Sequence, residues 1–161
     1  MRSARRIVVY LEGTEIMNVK CKELMTRAPD YCSPTATVQQ VGALMKGRHV
    51  GVIPVVDSKK LVGIVTDRDL AINVLGNAAA TKQMLIGEVM STPPISCWED
   101  EDVEIVAGLM RHHKITQVPV VNDDAFFVGV ISLADIADCL QNPELNRDLI
   151  HTISKPDECQ T

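Results

Sequence analysis

The chain repeats itself once. Set beside the residues 65 positions later, Glu23, Met25, Pro29, Cys32, Leu44, Met45 and Pro54 meet Glu88, Met90, Pro94, Cys97, Leu109, Met110 and Pro119. After Val121 one extra residue enters a turn and the offset becomes 66, so that Val62, Gly63, Asp69 and Ala71 meet Val128, Gly129, Asp135 and Ala137. An insertion confined to a turn is what a shared backbone tolerates. Two copies without a third predict a pseudo-symmetric pair, not a solenoid. A unit of roughly 55 to 60 residues buries little surface alone, so the copies must share an interior.

Within a copy the periodicities change in a fixed order. Residues 31–32 lead to Ser33 and Pro34 as a short strand, and Thr37 can cap a helix that places Val38, Val41, Leu44 and Met45 on one face and stops near Gly47. The β-branched runs 50–56 and 61–65 flank the turn sequence DSKK and read as a hairpin. A second helix follows over 67–75, ended by Gly76 and Asn77. The second copy predicts a strand at 95–97, a helix from 103 to about 112, strands at 117–121 and 127–131, and a helix over 133–140. The expected fold is α+β: two pseudo-twofold related β-α-β-β-α repeats packed sheet to sheet. Their expected spans are 17–77 and 85–141, joined by a linker over 78–84, with an N-terminal extension over 1–16 and a short helix and mobile tail over 142–161. Within the extension, RIVVYL could add a strand.

Both hairpins end in one element, GIVTDRDL from Gly63 and GVISLADI from Gly129. Two readings compete. In the first, Thr66 or Ser132 is an N-cap that bonds the amide three residues on, and Asp69 or Asp135 bonds back. In the second, the free amides and positive dipole end of the helix attract phosphate, the hydroxyl adds a hydrogen bond, and the aspartate accepts both hydroxyls of a ribose. Gly63 and Gly129 would then let a ligand approach the strand.

The ordered pairs KELMTRAP, TVQQVGALM, VGVIPVVD, LVGIVTDRDL and GEVMSTPP, DVEIVAGLM, ITQVPVVN, FVGVISLADI resemble the two halves of a CBS-domain pair, the Bateman module named for cystathionine β-synthase. The resemblance covers about residues 17–141. It implies a regulatory module that senses an adenine nucleotide (AMP, ADP or ATP) or another adenosyl ligand such as S-adenosylmethionine or NAD. It also implies a homodimer that signals to a regulated protein the sequence does not name, with no obligatory cofactor. By similarity, Thr66 and Ser132 face phosphate and Asp69 and Asp135 face ribose. Arg68 reaches phosphate in copy one, where copy two has Ala134; its plain alternative is a surface residue paired with an acid. Adenine would lie against Ala28, Pro29, Asp30 and Tyr31, or against Pro93, Pro94 and Ile95. Relatives that sense nucleotides can place arginine two positions before the strand proline; here those positions hold Val52 and Gln117, which favours a monophosphate or an uncharged adenosyl ligand over di- and triphosphates.

Composition closes other routes. A net charge of −5 and five aromatic residues offer neither a basic surface nor stacking platforms for nucleic acid. No window reads as a membrane span. Five cysteines without a CxxC suggest a reducing, cytoplasmic setting. Cys32 and Cys97 read as small buried hydrophobes, Met25, Met45, Met90 and Met110 as core, and His112 and His113 as cations at a helix end. His49 and Lys114 occupy equivalent junctions from which either could approach a phosphate. No nucleophile and base stand out, so no enzyme is expected. The alternative to a sensor is a dimeric scaffold whose clefts stay empty.

Overall fold

The protein is described by a computed structural model over residues 19–76 and 83–140, together with Arg147 and His151. The expectations for residues 1–16, for Asn77 and the linker to 82, and for the C-terminal segment apart from helical Arg147 and His151 lie outside the described residues. The elements are α1 (Cys21–Leu24), β1 (Thr26–Arg27), α2 (Val38–Arg48), β2 (Val52–Asp57), β3 (Lys60–Thr66) and α3 (Asp67–Leu75). After a 3₁₀ turn, Ile86–Glu88, come β4 (Cys97–Trp98), α4 (Val103–His113), β5 (Gln117–Val121), β6 (Phe127–Ser132) and α5 (Leu133–Leu140). No helix among the described residues is long and apolar enough to cross a membrane.

Local chemistry sets most of these limits. Thr37 and Gln40 form a reciprocal cap, each side chain accepting from the other's amide at 2.9 and 3.2 Å. Val38, Val41 and Met45 then fall buried on one face of α2, as Val103, Val106 and Met110 do on α4. Both helices run one residue further than expected and end in left-handed residues that are not glycine, His49 (φ 57°) and Lys114 (φ 53°). Both hairpins carry a β-bulge at the same place, between Val55 and Val56 and between Val120 and Val121. The first strand of copy one is reduced to a single parallel bridge, Cys32 to Val55, where copy two has β4 parallel to β5.

The sequence repeats are not the packing units. β1, from copy one, pairs antiparallel with β6 of copy two, Thr26 opposite Val130 and Arg27 opposite Gly129. The reciprocal contact is made by copy two: Ser91 bridges Ile64 of β3. The cores follow the same exchange. Cys21 and Met25 are buried among Cys97, Val106, Met110, Val120 and Ile131, and the Cys21 and Cys97 sulfurs lie 3.9 Å apart. Ile86 and Val89 are buried among Val41, Ile53, Val55, Val65 and Leu70. Main-chain bonds fasten each docked segment: Cys21 N donates to Glu101 O at 2.9 Å, and Ile86 N to Ala36 O at 2.8 Å. Lys20 adds an ion pair to Asp102 at 2.7 Å.

A residue can touch its own equivalent only near the axis that relates the copies. Lys60 and Phe126, equivalent in the repeat, form an antiparallel bridge between the hairpins. Val52 and Gln117, also equivalent, each line both of the clefts described next.

Candidate functional site

Two clefts open beside these central residues, and each is built crosswise. The larger, about 550 Å³, takes Thr66, Asp67 and Arg68 from the start of α3 and Pro93, Pro94 and Ile95 from the loop before β4, with Lys114 at its edge. The smaller, about 290 Å³, takes Ser132 and Asp135 from copy two and Thr26, Pro29 and Asp30 from copy one. The first lies within the range of small-molecule sites, roughly 300–1,000 Å³, and the second at its lower edge. The two loops offered as alternatives by the sequence are thus both used, each facing the other copy's helix.

Not every expected residue reaches a cleft. Gly63 and Gly129 line neither, because protein already fills the space beside them. A Cβ on Gly63 would stand 2.5 Å from Met90 Sδ, and one on Gly129 would stand 2.7 Å from Met25 Sδ and 2.8 Å from Thr26 O. The room expected for a ligand is room for the exchanged methionines. Tyr31 is exposed and meets Phe127 edge-on at 6.2 Å, away from both linings. Asp69 is half-buried behind Thr66 and lines neither cleft, whereas Asp135 does line the smaller one.

The capping reading is realised in full at both elements. Asp69 Oδ2 accepts from Thr66 N at 2.9 Å and from Thr66 Oγ1 at 2.8 Å, while Asp69 N donates to Thr66 Oγ1 at 3.1 Å. Asp135 Oδ2 accepts from Ser132 N at 2.8 Å and Ser132 Oγ at 2.7 Å, and Asp135 N donates back at 3.2 Å. A hydroxyl has one hydrogen to donate. Thr66 and Ser132 have given theirs to the aspartates, so as they stand neither hydroxyl has a proton for a further acceptor.

The amides expected to be free at the start of α3 are also engaged. Asp67 N donates to Gly51 O at 2.9 Å, Arg68 N to Asp67 Oδ1 at 2.7 Å, and Asp69 N to the Thr66 hydroxyl. Positive charge in the larger cleft therefore comes from side chains. Arg68 is exposed there and, among the described residues, makes no ion pair with an acid; Lys114 adds its ammonium from the opposite copy. The smaller cleft is opposite in character. Its charged lining is Asp30 and Asp135, and Arg48, which does not line the cavity, holds Asp30 at 3.0 Å. Asp67 was the residue missed by sequence reasoning; its signal was an acid at the first helical position, directly after the cap.

Cys21, Cys32 and Cys97 behave as buried hydrophobes, and Cys139 is half-buried. Burial pushes the Cys32 thiol up to about 11, and the hydrogen bond with Cys21, then burial, raises Cys97 while Cys21 is lowered by the same contact. Thiolate is the reactive form. Alkylation of the folded protein at neutral pH should therefore leave Cys32 and Cys97 unmodified, and denaturant should release both, as peptide mass mapping would read out. Among the described residues no group of three or more His, Cys, Asp or Glu could hold a metal ion.

Comparison with known proteins agrees with the architecture. The sequence profile of the CBS domain matches residues 21–76 and again 86–142. The uncharacterized protein YlbB of Bacillus subtilis (strain 168) is 35% identical over 140 residues, 86% of this chain and 93% of its own. The CBS domain-containing protein YhcV of the same organism is 37% identical over 116 residues, 72% of this chain and 81% of its own. A crystal structure of the CBS domain pair of protein MJ0100, in complex with 5′-methylthioadenosine and S-adenosyl-L-methionine, superposes with a TM-score of 0.66 at 28% identity, covering 76% of this chain and 95% of that one.

Proposed function

The chain belongs to the CBS domain family and carries two such domains; from that premise we propose that it is a regulatory module whose larger cleft binds an adenosine ligand bearing a single phosphate. The observation that carries this reading is the placement of Arg68 and Lys114, one from each copy, on one cleft of about 550 Å³. An anion held between them ties the copies together, and a ligand can do regulatory work only through such a difference in affinity between two arrangements. The adenosyl part is supported by the ligands of the MJ0100 pair. Val52 and Gln117, the side chains at the centre, supply no further positive charge for a second or third phosphate. The smaller, acid-lined cleft suits a ligand without phosphate. The module acts as a homodimer and passes its state to another protein; Ile72 on α3 and Ile105 on α4, exposed apolar side chains, support an association surface.

The test is a thermal-shift series of nucleotide-free protein with AMP, ADP, ATP, NAD and S-adenosylmethionine, with Arg68→Ala alongside. AMP at a hundredfold over Kd should add about 2.7 kcal/mol, on the order of 5–10 °C. Arg68→Ala should weaken AMP about tenfold or more, as expected for loss of a charge-assisted contact of about 1.5–3 kcal/mol. No shift with any ligand would overturn the sensor reading in favour of a scaffold.

A further inference from the structure

The charge that faces the start of α3 is already supplied by the protein. Asp67 Oδ1 accepts from Arg68 N at 2.7 Å, and Asp67 lines the larger cleft together with Arg68 and Lys114. Its other oxygen rests over Gly51, where an added Cβ would stand 3.1 Å from Oδ2 and press it aside by a few tenths of an ångström. The backbone beneath is the same in both copies, since Leu133 N donates to Thr116 O at 2.8 Å as Asp67 N does to Gly51 O at 2.9 Å. Only copy one adds the carboxylate, because the equivalent residue in copy two is Leu133. A negative group at this end of a helix is favoured for the same reason that a phosphate would be.

We propose that Asp67 is a resident anion of the larger cleft and its specificity-determining residue: it competes with the ligand's phosphate for the positive end of α3 and penalises each further negative charge. This inference rests on the reading that the cleft binds a phosphorylated adenosine. Selectivity is a difference of affinities, and a like charge placed against the unwanted ligand is one way to create it. Arg68 and Lys114 attract a phosphate; Asp67 limits how much negative charge they can hold.

The experiment is calorimetric titration of the full chain with adenosine, AMP and ATP, for the native protein, Asp67→Ala and Asp67→Asn. Asparagine retains an oxygen that can accept from Arg68 N but removes the charge. In both variants AMP should bind about tenfold more tightly, which corresponds to about 1.4 kcal/mol, ATP should gain more than AMP, and adenosine should stay within about twofold. The gain should shrink as salt is raised. Native protein that binds AMP, with variants that bind it no tighter, would overturn this inference alone. Tightening in Asp67→Ala but not in Asp67→Asn would also overturn it, since charge would not be the cause. An equal gain for adenosine would do the same. If neither the native protein nor the variants bind AMP or adenosine, the proposed function falls and this inference with it. AMP binding to the variants alone would support Asp67 as the competing anion and remove AMP as the native ligand. Thermal midpoints of the variants establish that each is folded before it is titrated.

Discussion

Gly129→Val is expected to lower the thermal midpoint by about 10 °C or more and to loosen the docked chain start. Gly129 lies in β6 with Val120 of β5 on one side and Arg27 of β1 on the other. The space a Cβ would need holds Met25 Sδ at 2.7 Å and the backbone oxygen of Thr26 at 2.8 Å. A sulfur on a flexible side chain can move, but a strand carbonyl cannot move without breaking the pairing. Overpacking costs about 1–3 kcal/mol, and displacing Met25 from its buried seat adds a loss comparable to truncating it, about 2–5 kcal/mol. At this chain length each kcal/mol is worth roughly 2–4 °C. Gly108→Ala is the internal control: nothing lies within 4 Å of its Cβ position in α4, so the gain in helix propensity should stabilise by about 0.5–1 kcal/mol. Calorimetry on both variants decides the matter. A Gly129→Val midpoint equal to the native one would mean that β1 is not seated on β6.

Shortening the chain to begin at residue 28 should damage the second copy more than the first. The deletion removes Cys21 and Met25 from the core that contains Val106, Met110, Ile131 and Ile136. It also strips β1 from β6 and the Lys20 ion pair from Asp102. Two buried side chains at about 2–5 kcal/mol each rival the whole stability of a domain of this size, about 5–15 kcal/mol. Hydrogen exchange should lose protection first in α4, β6 and α5, and later in α2 and β2, whose core is completed by Ile86 and Val89. Loss confined to the first copy would contradict the exchange of segments.

The limits of α3 and α5, the hairpins and the capping elements were legible because the physics that sets them is local. Thr66 and Asp69 are three residues apart, and so are Ser132 and Asp135, so the reciprocal bonds follow from the residues themselves. The site was legible only in part. Arg68, Thr66, Pro94 and Ile95 come together, as do Ser132, Asp135, Pro29 and Asp30. Which loop faces which helix was not readable, since both loops carry the same proline and no short-range rule distinguishes its own copy from the other.

Repetition, periodicity and caps thus determined, from the sequence alone, that two like α+β units must pack against each other. The tertiary structure decided the rest: that each unit is closed by a segment of the other, that methionines fill the space beside Gly63 and Gly129, and that Asp67 takes up the Arg68 amide. Those outcomes depend on atoms brought together from distant parts of the chain, such as Met25 against Gly129, or on a local side chain, Asp67, that can lie over Gly51 only once the hairpin has placed that glycine beneath it. Van der Waals exclusion and hydrogen-bond competition settle both, and neither has a period that a sequence can display.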